Sequence, residues 1–505
     1  MKIHSYGRAL LCCCFFCGSL NSFAQVPEKK NNAQNFDDFF KQAQSSFNDF
    51  GKSSEKEFDD FRKRINQKYA NYMKEAWKSF TSVAGEPIPE EQIEPVPPVI
   101  SPTPVVPIKN KELTIENVTI PDLKERPQPL PFTPLESMPV IDDYEKFSFF
   151  GTDIKFHEIE KPTLKSVSEK GASAMWTTLS NEDYNNIVLE CLKIRENYQL
   201  CDWAYLLMLK GLSESIYGKP CNEATILMAY IYCQSGYKMR LAKNEEQMIM
   251  LYATDHTIYE KNYFVLDDEN FYPFSEKKCE QLQIFNKNFP KEQSMSLYIQ
   301  SAPKLAFSST DERELTSQRF PEINAKVSVN KNLLDFYETY PTSMLKVGFM
   351  TRWAMYANTP LSQEARNSLY PALQKQIEGL TEIEAANKLL NWVQTAFKYE
   401  YDDKVWGGDR AFFADETLHY EFCDCEDRSI LLSRLMRDLL GVKVALIYYP
   451  GHLATAVCFK DPNIEGDFIK IDNQKFIVCD PTYINANVGC TMPNMDNGKA
   501  QVIIL

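Results

Sequence analysis

Three side chains in the last hundred residues have the types and order needed for nucleophilic acyl chemistry. Cys425 stands in CDCEDRSILLSRLMRDLLG, His452 in YYPGHLATAVCF and Asp480 in KFIVCDPTY. A thiol can attack a carbonyl carbon, an imidazole can take the thiol proton, and a carboxylate can hold the imidazole in one tautomer. Beyond residue 24 the histidines are His157, His256, His419 and His452, which narrows the choice of base. An earlier stretch echoes two of the three groups: Cys221 in GKPCNEATILMAYIYC and His256 in YATDHTIYE. The acid is missing there. Ser275 stands at its place with no Asp-Pro after it, Asp267 and Asp268 fall in the preceding turn, and Asn222 follows the cysteine. This first copy is expected to be structural or substrate-binding rather than catalytic.

Other chemistry was weighed on the same residues. Cys423, Cys425, His452 and Cys479 could ligate zinc, but one residue between the first two sulfurs is short of the usual two to four. No metal and no cofactor are expected. Cys423 could instead close a reversible disulfide on Cys425, or merely fill space. KVWGGDRAFF at 404–413 has glycines but no phosphate-loop spacing, and reads as a loop bordering the cleft.

The elements that must position these groups are legible. Ile430, Leu431, Leu435 and Leu439 form an apolar stripe at helical spacing, closed by Gly441, so a helix begins near Cys425. Asp424 and Asp427 have capping-box spacing. The positive end of the helix favours a thiolate, while Asp424, Glu426 and Asp427 oppose it. Pro450-Gly451 ends one strand, and the alternating run Leu453 to Phe459 begins another. Phe476 to Val478 form a strand that Pro481 stops. If the histidine and aspartate strands pair, the two side chains are neighbours and Cys425 faces them from the helix tip.

The strings CDCEDRS, GHLATAV and CDPTY resemble the transglutaminase-like superfamily, which has the papain-like cysteine-protease fold. The likeness covers about residues 380–490, including TEIEAANKLLNWVQTAFKYEYD and FFADETLHYEF before the cysteine. Cys423 stands where the family has a glycine. The resemblance implies attack of Cys425 on an amide, proton transfer through His452, and a thioester that passes to water or to a lysine amine. Hydrolysis is the first choice. The oxyanion needs a second donor besides the Cys425 amide, and His419 and Trp406 are the candidates. The family also includes inactive relatives, so a non-catalytic envelope scaffold or binding protein is the alternative function.

The predicted fold class is α+β. A cysteine-bearing helix is expected to pack on an antiparallel sheet in a papain-like or transglutaminase-like core, duplicated, behind a helical segment and a Pro-rich linker. At about 150 residues per domain, 505 residues suit two to four domains. Residues 1–24 read as a signal peptide: Lys2 and Arg8, an apolar Ala9 to Cys17, then small Ser22 and Ala24. A lipoprotein was weighed at Cys17, but Phe15 and Phe16 stand where small residues belong. Residues 25–83 are a helical segment with aromatics three, four or seven apart, read as a poorly packed helix pair or a partner-binding arm. Residues 84–140, rich in proline, read as an extended spacer. Residues 141–310 form the degenerate copy and 311–505 the domain with the triad. The expected setting is exported, periplasmic or extracellular, in a bacterial envelope. A formal charge of −14 argues against nucleic acid and anionic lipid as partners, while the resemblance implies a protein or peptide substrate. No later run of 18 apolar residues predicts a membrane segment.

Overall fold

Each half of the chain rests a cysteine-headed helix on an antiparallel sheet, and the N-terminal stretch ties into both. The computed structural model describes residues 55–87, 95–120, 126–130, 144–345 and 348–505; the expected signal peptide and the first part of the helical segment lie outside them. The fold is mixed α+β. Among the described residues, no helix is long and apolar enough to cross a membrane.

The N-terminal stretch gives helix α1 (Glu55–Met73) and strands β1 (Lys78–Thr81), β2 (Val99–Val105), β3 (Lys111–Glu112) and β4 (Glu116–Thr119). The first half supplies helices α2 (Glu169–Leu179), α3 (Glu182–Asn197), α4 (Asp202–Tyr217) and α5 (Asn222–Gln234). Its strands are β5 (Met239–Lys243), β6 (Met248–Ala253), β7 (Phe264–Leu266), β8 (Glu269–Pro273) and β9 (Gln281–Phe285). With β1 they form a six-stranded antiparallel sheet in the order β1-β9-β5-β6-β8-β7. Helix α5 packs on β6 and β5.

The aromatic spacing of the helical segment has a plain cause. Ile65, Tyr69 and Met73 are buried, and Tyr69 packs its ring against Trp176, Phe285 and Phe289. The Asn66 amide exchanges hydrogen bonds with Gln234 and accepts from the Trp176 indole at 3.0 Å. Both expectations for this segment are corrected: over 55–73 it is neither poorly packed nor free for a partner, because its apolar face lies in the core of the first half.

The second half contributes helices α6 (Glu382–Ala396) and α7 (Cys425–Leu435), with α7 running on through one π turn to Gly441. Its strands are β10 (Lys443–Tyr449), β11 (His452–Cys458), β12 (Asp467–Ile471), β13 (Gln474–Cys479), β14 (Tyr483–Ala486) and β15 (Gln501–Ile504). The second sheet runs β3-β12-β13-β11-β10-β15-β4. Its alternation is clean. Leu446, Leu453, Val457 and Ile477 belong to the main core with α7, while Ile447, Ala454, Ala456 and Val478 face a second, smaller cluster with Leu113.

Over 95–120, the main described part of the Pro-rich stretch, the chain is extended but is not a free spacer. β2 pairs parallel with β14, β3 with β12 and β4 with β15. Proline cannot donate to a ladder on both sides, so such a sequence suits an added edge strand. One hydrophobic cluster extends from Ile65 to Ile503, so the boundary expected at 310/311 does not divide the core.

Candidate active site

The helix that carries Cys425 starts where its sequence says. Asp424 is the N-cap and accepts from the Glu426 amide at 3.0 Å, while Asp427 reaches back to the Asp424 amide at 3.2 Å. Cys425 is therefore the first helical residue, its side chain aimed off the tip. The histidine is set by the two-residue turn Pro450-Gly451. Gly451 takes φ +76°, which a glycine adopts without strain, and His452 pairs opposite Tyr449 at the start of β11. β13 pairs with β11 through Thr455 and Cys479, which puts Asp480 on the same face as His452, two positions along.

His452 Nε2 lies 2.9 Å from Asp480 Oδ2. The other carboxylate oxygen accepts from the amides of Thr482 and Tyr483 at 2.8 and 3.2 Å, so the acid is held on both sides. His452 Nδ1 is buried and makes no hydrogen bond. Its ring packs near the Tyr449 ring. The Leu453 amide, one residue beyond the histidine, acts on the Cys425 thiol and partly offsets the upward push of burial on its pKa. The Leu453 carbonyl in turn accepts from Ser429 Oγ at 2.8 Å. Ser429, four residues after the cysteine, thus ties α7 to β11 beside the histidine. The structure joins the histidine to the aspartate and, through Ser429, the cysteine's helix to the histidine's strand. It does not hydrogen-bond the sulfur to the ring.

All three groups are enclosed: Cys425 is 5 % exposed, His452 2 % and Asp480 1 %. Burial, then the charges of Asp424 and Glu426, push the Cys425 thiol well above the usual thiol range. Burial, with the acids adding to it, outweighs the helix end and favours the thiol over the thiolate. The acids do not bear this alone. Burial and then Glu426 push Asp402 up to about 8, and burial with mutual repulsion holds Asp424, Glu426 and Asp427 up as well. The buried Arg352 answers part of the charge, with ion pairs to Asp409 and Glu426.

Sequence reasoning missed the residues that brace this arrangement. Gln394, on α6, donates through Nε2 to the carbonyls of Asp480, Tyr483 and Ala486 at 3.1, 2.8 and 3.0 Å, fixing the turn after the acid. Arg428, three residues after the nucleophile, donates to the carbonyls of Gln394 and Phe397 at 3.0 and 2.9 Å, closing the end of α6. A buried arginine inside CDCEDRS, one turn from the cysteine, was a readable signal. The Gln394 contacts join residues about 90 apart and had none.

The two oxyanion candidates have other surroundings. Trp406 packs against Phe412 and Tyr420 beneath the Arg410 guanidinium. His419 meets the Tyr420 ring edge-on, and burial and then Arg313 hold its pKa down. Neither contacts Cys425 among the described residues. Trp406 to Ala411 do border a cleft, as expected of that loop, but its other walls are Tyr337, Tyr340 and Tyr356. Tyr399 is nearer the chemistry: its hydroxyl is buried without a partner, and after burial the charges acting on it are those of Cys425 and Asp424.

The ten described cysteines are all free thiols, including Cys423, whose sulfur lies 3.8 Å from the Lys398 carbonyl. Cys423, Cys425, His452 and Cys479 do not gather as ligands. The described sets that do are Asp424/Cys425/Glu426 and Asp402/Asp409/Glu426, the latter already paired with Arg352.

In the first half, Cys221 is itself the N-cap of α5, accepting from the Ala224 amide at 3.5 Å. His256 opens a short strand, His256–Ile258, that leaves the six-stranded sheet and pairs with Ser343–Leu345. Its Nδ1 lies 3.3 Å from Ser343 Oγ. The structure records no contact between Cys221 and His256, and Ser275 bonds locally to the Lys277 amide. Comparison with family models, curated proteins and solved structures returns no match to the chain.

Proposed function

We propose that the chain is an exported, cysteine-dependent acyl-transfer enzyme of the transglutaminase-like type, acting on peptide or protein amides and releasing product by hydrolysis. In this reading, α7 on the β10 to β13 strands is a papain-like core. The observation that carries it is His452, tied through Nε2 to Asp480 and left with Nδ1 unpartnered, on the strand that the cysteine's helix grips through Ser429.

Asp480 fixes the tautomer with hydrogen on Nε2, so the lone pair of Nδ1 is the base. The thiol proton passes to Nδ1 as sulfur bonds to the amide carbon, and the carbonyl oxygen becomes an oxyanion. Collapse expels the amine, which takes the proton from Nδ1 and leaves a thioester. Water then attacks with Nδ1 as base, and the acid product leaves as the thiol reforms. Because the resting sulfur is protonated, general-base transfer rather than a standing ion pair drives the attack. The Cys425 amide at the helix tip is one oxyanion donor. Tyr399 takes the place expected of His419 or Trp406 as the second.

The test is turnover of a fluorescent peptide mixture, with a labelled primary amine present to detect transfer. Cys425→Ala is expected to abolish turnover, and Tyr399→Phe to lower kcat about 10- to 100-fold with KM little changed. Equal turnover by wild type and Cys425→Ala would remove the reading. A second reading, a binding scaffold with a relic triad, draws on the enclosed sulfur and its raised pKa. It predicts that Cys425 reacts no faster than the other cysteines even when the site is opened.

A further inference from the structure

The Pro-rich segment crosses the two strand ends that deliver the imidazole and the acid. The Val96 amide donates to the Gly451 carbonyl at 2.9 Å, one residue before His452. Val99 and Ile100 then pair with Tyr483 and Ile484, three and four residues after Asp480. Three residues of extended chain reach about 10 Å, enough to pass from one strand end to the next. Further along, Asn485 Nδ2 donates to the Ser101 carbonyl at 2.8 Å and the Asn487 amide to the Val105 carbonyl at 2.9 Å. On the strap's side all of these contacts are backbone atoms, so they read extended conformation and not side-chain identity.

Its side chains hold it weakly. Ile100 is 71 % exposed, and Pro102, Thr103 and Pro104 are exposed as well. A strand held by a few backbone bonds, each of modest net worth, is exchangeable for another strand. Under it, β14 has β2 as its strand partner, so removing the segment bares a backbone edge beside Asp480. The residues at the crossing itself are Pro97 and Pro98. Their imide nitrogens carry no hydrogen and their rings fix φ, so this stretch resists the local bending that would present a carbonyl to the sulfur.

We infer that the β14 edge and the Gly451 carbonyl form a binding site for an extended, unbranched polypeptide, and that residues 95–105 are its built-in occupant, a strap that must leave before the site takes a ligand. Naming that ligand a substrate rests on the acyl-transfer reading above; the strap's occupancy does not.

The test loosens the strap in the full chain with Val96→Pro, which removes the donor to Gly451, and Asn485→Gly, which removes the side-chain bond while suiting the φ of +68° at that position. Labelling of Cys425 by iodoacetamide, read by mass spectrometry, should rise at least tenfold over wild type. A fluorescent peptide of sequence PVPPVISPTPVVP should bind the double variant and slow that labelling again, and should not bind wild type. In wild type, amides of 96–105 should exchange hydrogen well before those of β11 and β13, a readout that survives if the variant does not fold. Unchanged labelling in a folded variant, no binding of the peptide, or exchange of 96–105 as slow as β11 would each overturn the strap. Faster labelling without peptide turnover would keep the strap and remove the acyl-transfer reading. Equal turnover by wild type and the loosened variant would do the reverse.

Discussion

Cys221 and Cys425 each head a buried helix lying on an antiparallel sheet, yet they occupy different positions of the same local structure. Cys221 is the cap, its sulfur turned back onto the Ala224 amide. Cys425 comes one residue later, and Asp424 does the capping, which frees the thiol to leave the helix end. The histidines diverge in the same way. His452 begins a central strand next to the acid's strand, whereas His256 begins a strand that pairs across to residues 343–345. A shift of one residue at a helix start and a change of strand partner are enough to separate a constellation from an echo of one. Residue types alone therefore do not define the site; the cap and the pairing do.

The sharpest way to break this comparison is to remove each sulfur in turn. With peptide turnover as the readout, Cys425→Ala should cost at least about 10³-fold and Asp480→Asn a comparable factor. Cys221→Ala and His256→Gln should leave turnover within about twofold. Loss of turnover in Cys221→Ala with the fold intact would show that the first half takes part in the chemistry.

The bracing of the two helices differs by nearly as much. Three residues on from Cys221 stands Ala224, and three residues on from Cys425 stands Arg428, buried and bonded to two carbonyls of α6. Arg428→Met leaves both acceptors buried without donors. Urea unfolding should show a loss of about 3 kcal/mol. Ala224→Ser should change stability by less than about 1 kcal/mol, the small effect usual where no network is broken.

Acidity separates the halves in opposite directions. Burial lowers the pKa of His256 to about 4. Its neutral form is the folded form, so that stability is fully present above the unfolded value near 6.5 and is lost as pH falls through about 4. Asp402 is raised to about 8, so its contribution is fully present below the unfolded value near 4 and is lost as pH rises through about 8. His256→Gln should flatten the acid limb of a stability-pH curve, an effect of about 3 kcal/mol at its low end. Asp402→Asn should flatten the alkaline limb and have no effect below pH 4. Parallel curves for wild type and Asp402→Asn between pH 5 and 9 would show that Arg352 already neutralises the cluster.

The parts of this arrangement that were readable from sequence are those set by local rules. The stripe Ile430 to Leu439, the Asp424/Asp427 cap and the Pro450-Gly451 turn each follow from spacing within one element. The His452-Asp480 pair followed from two strands and one assumption of pairing. What escaped depends on distant backbone. The proline composition of 84–140 correctly implies an extended chain, but extension is also what an edge strand needs, and nothing local tells β2 to lie on β14. The aromatic stripe of α1 correctly implies a helix with one apolar face, while the identity of the covering surface, Trp176 and Phe285, is a tertiary matter. Trp406 and His419 lie close to Cys425 in sequence, but their rings are taken up by Tyr420, a contact that nothing local in the sequence signals.

The smallest difference between the halves is the cap atom itself, and it can be measured alone. A sulfur at 3.5 Å is a weak acceptor for the Ala224 amide, whereas a serine oxygen is among the preferred N-cap acceptors. Cys221→Ser should therefore hold or raise the thermal midpoint, by up to about 1 kcal/mol of stability, because it keeps the cap and strengthens it. The matching change, Cys425→Ser, has no cap to strengthen, since Asp424 already serves the first turn. It replaces a buried sulfur with a smaller oxygen and should leave stability unchanged within about 0.5 kcal/mol. If both substitutions stabilise equally, the two cysteines are equivalent caps, and the one-residue offset that distinguishes them carries no functional meaning.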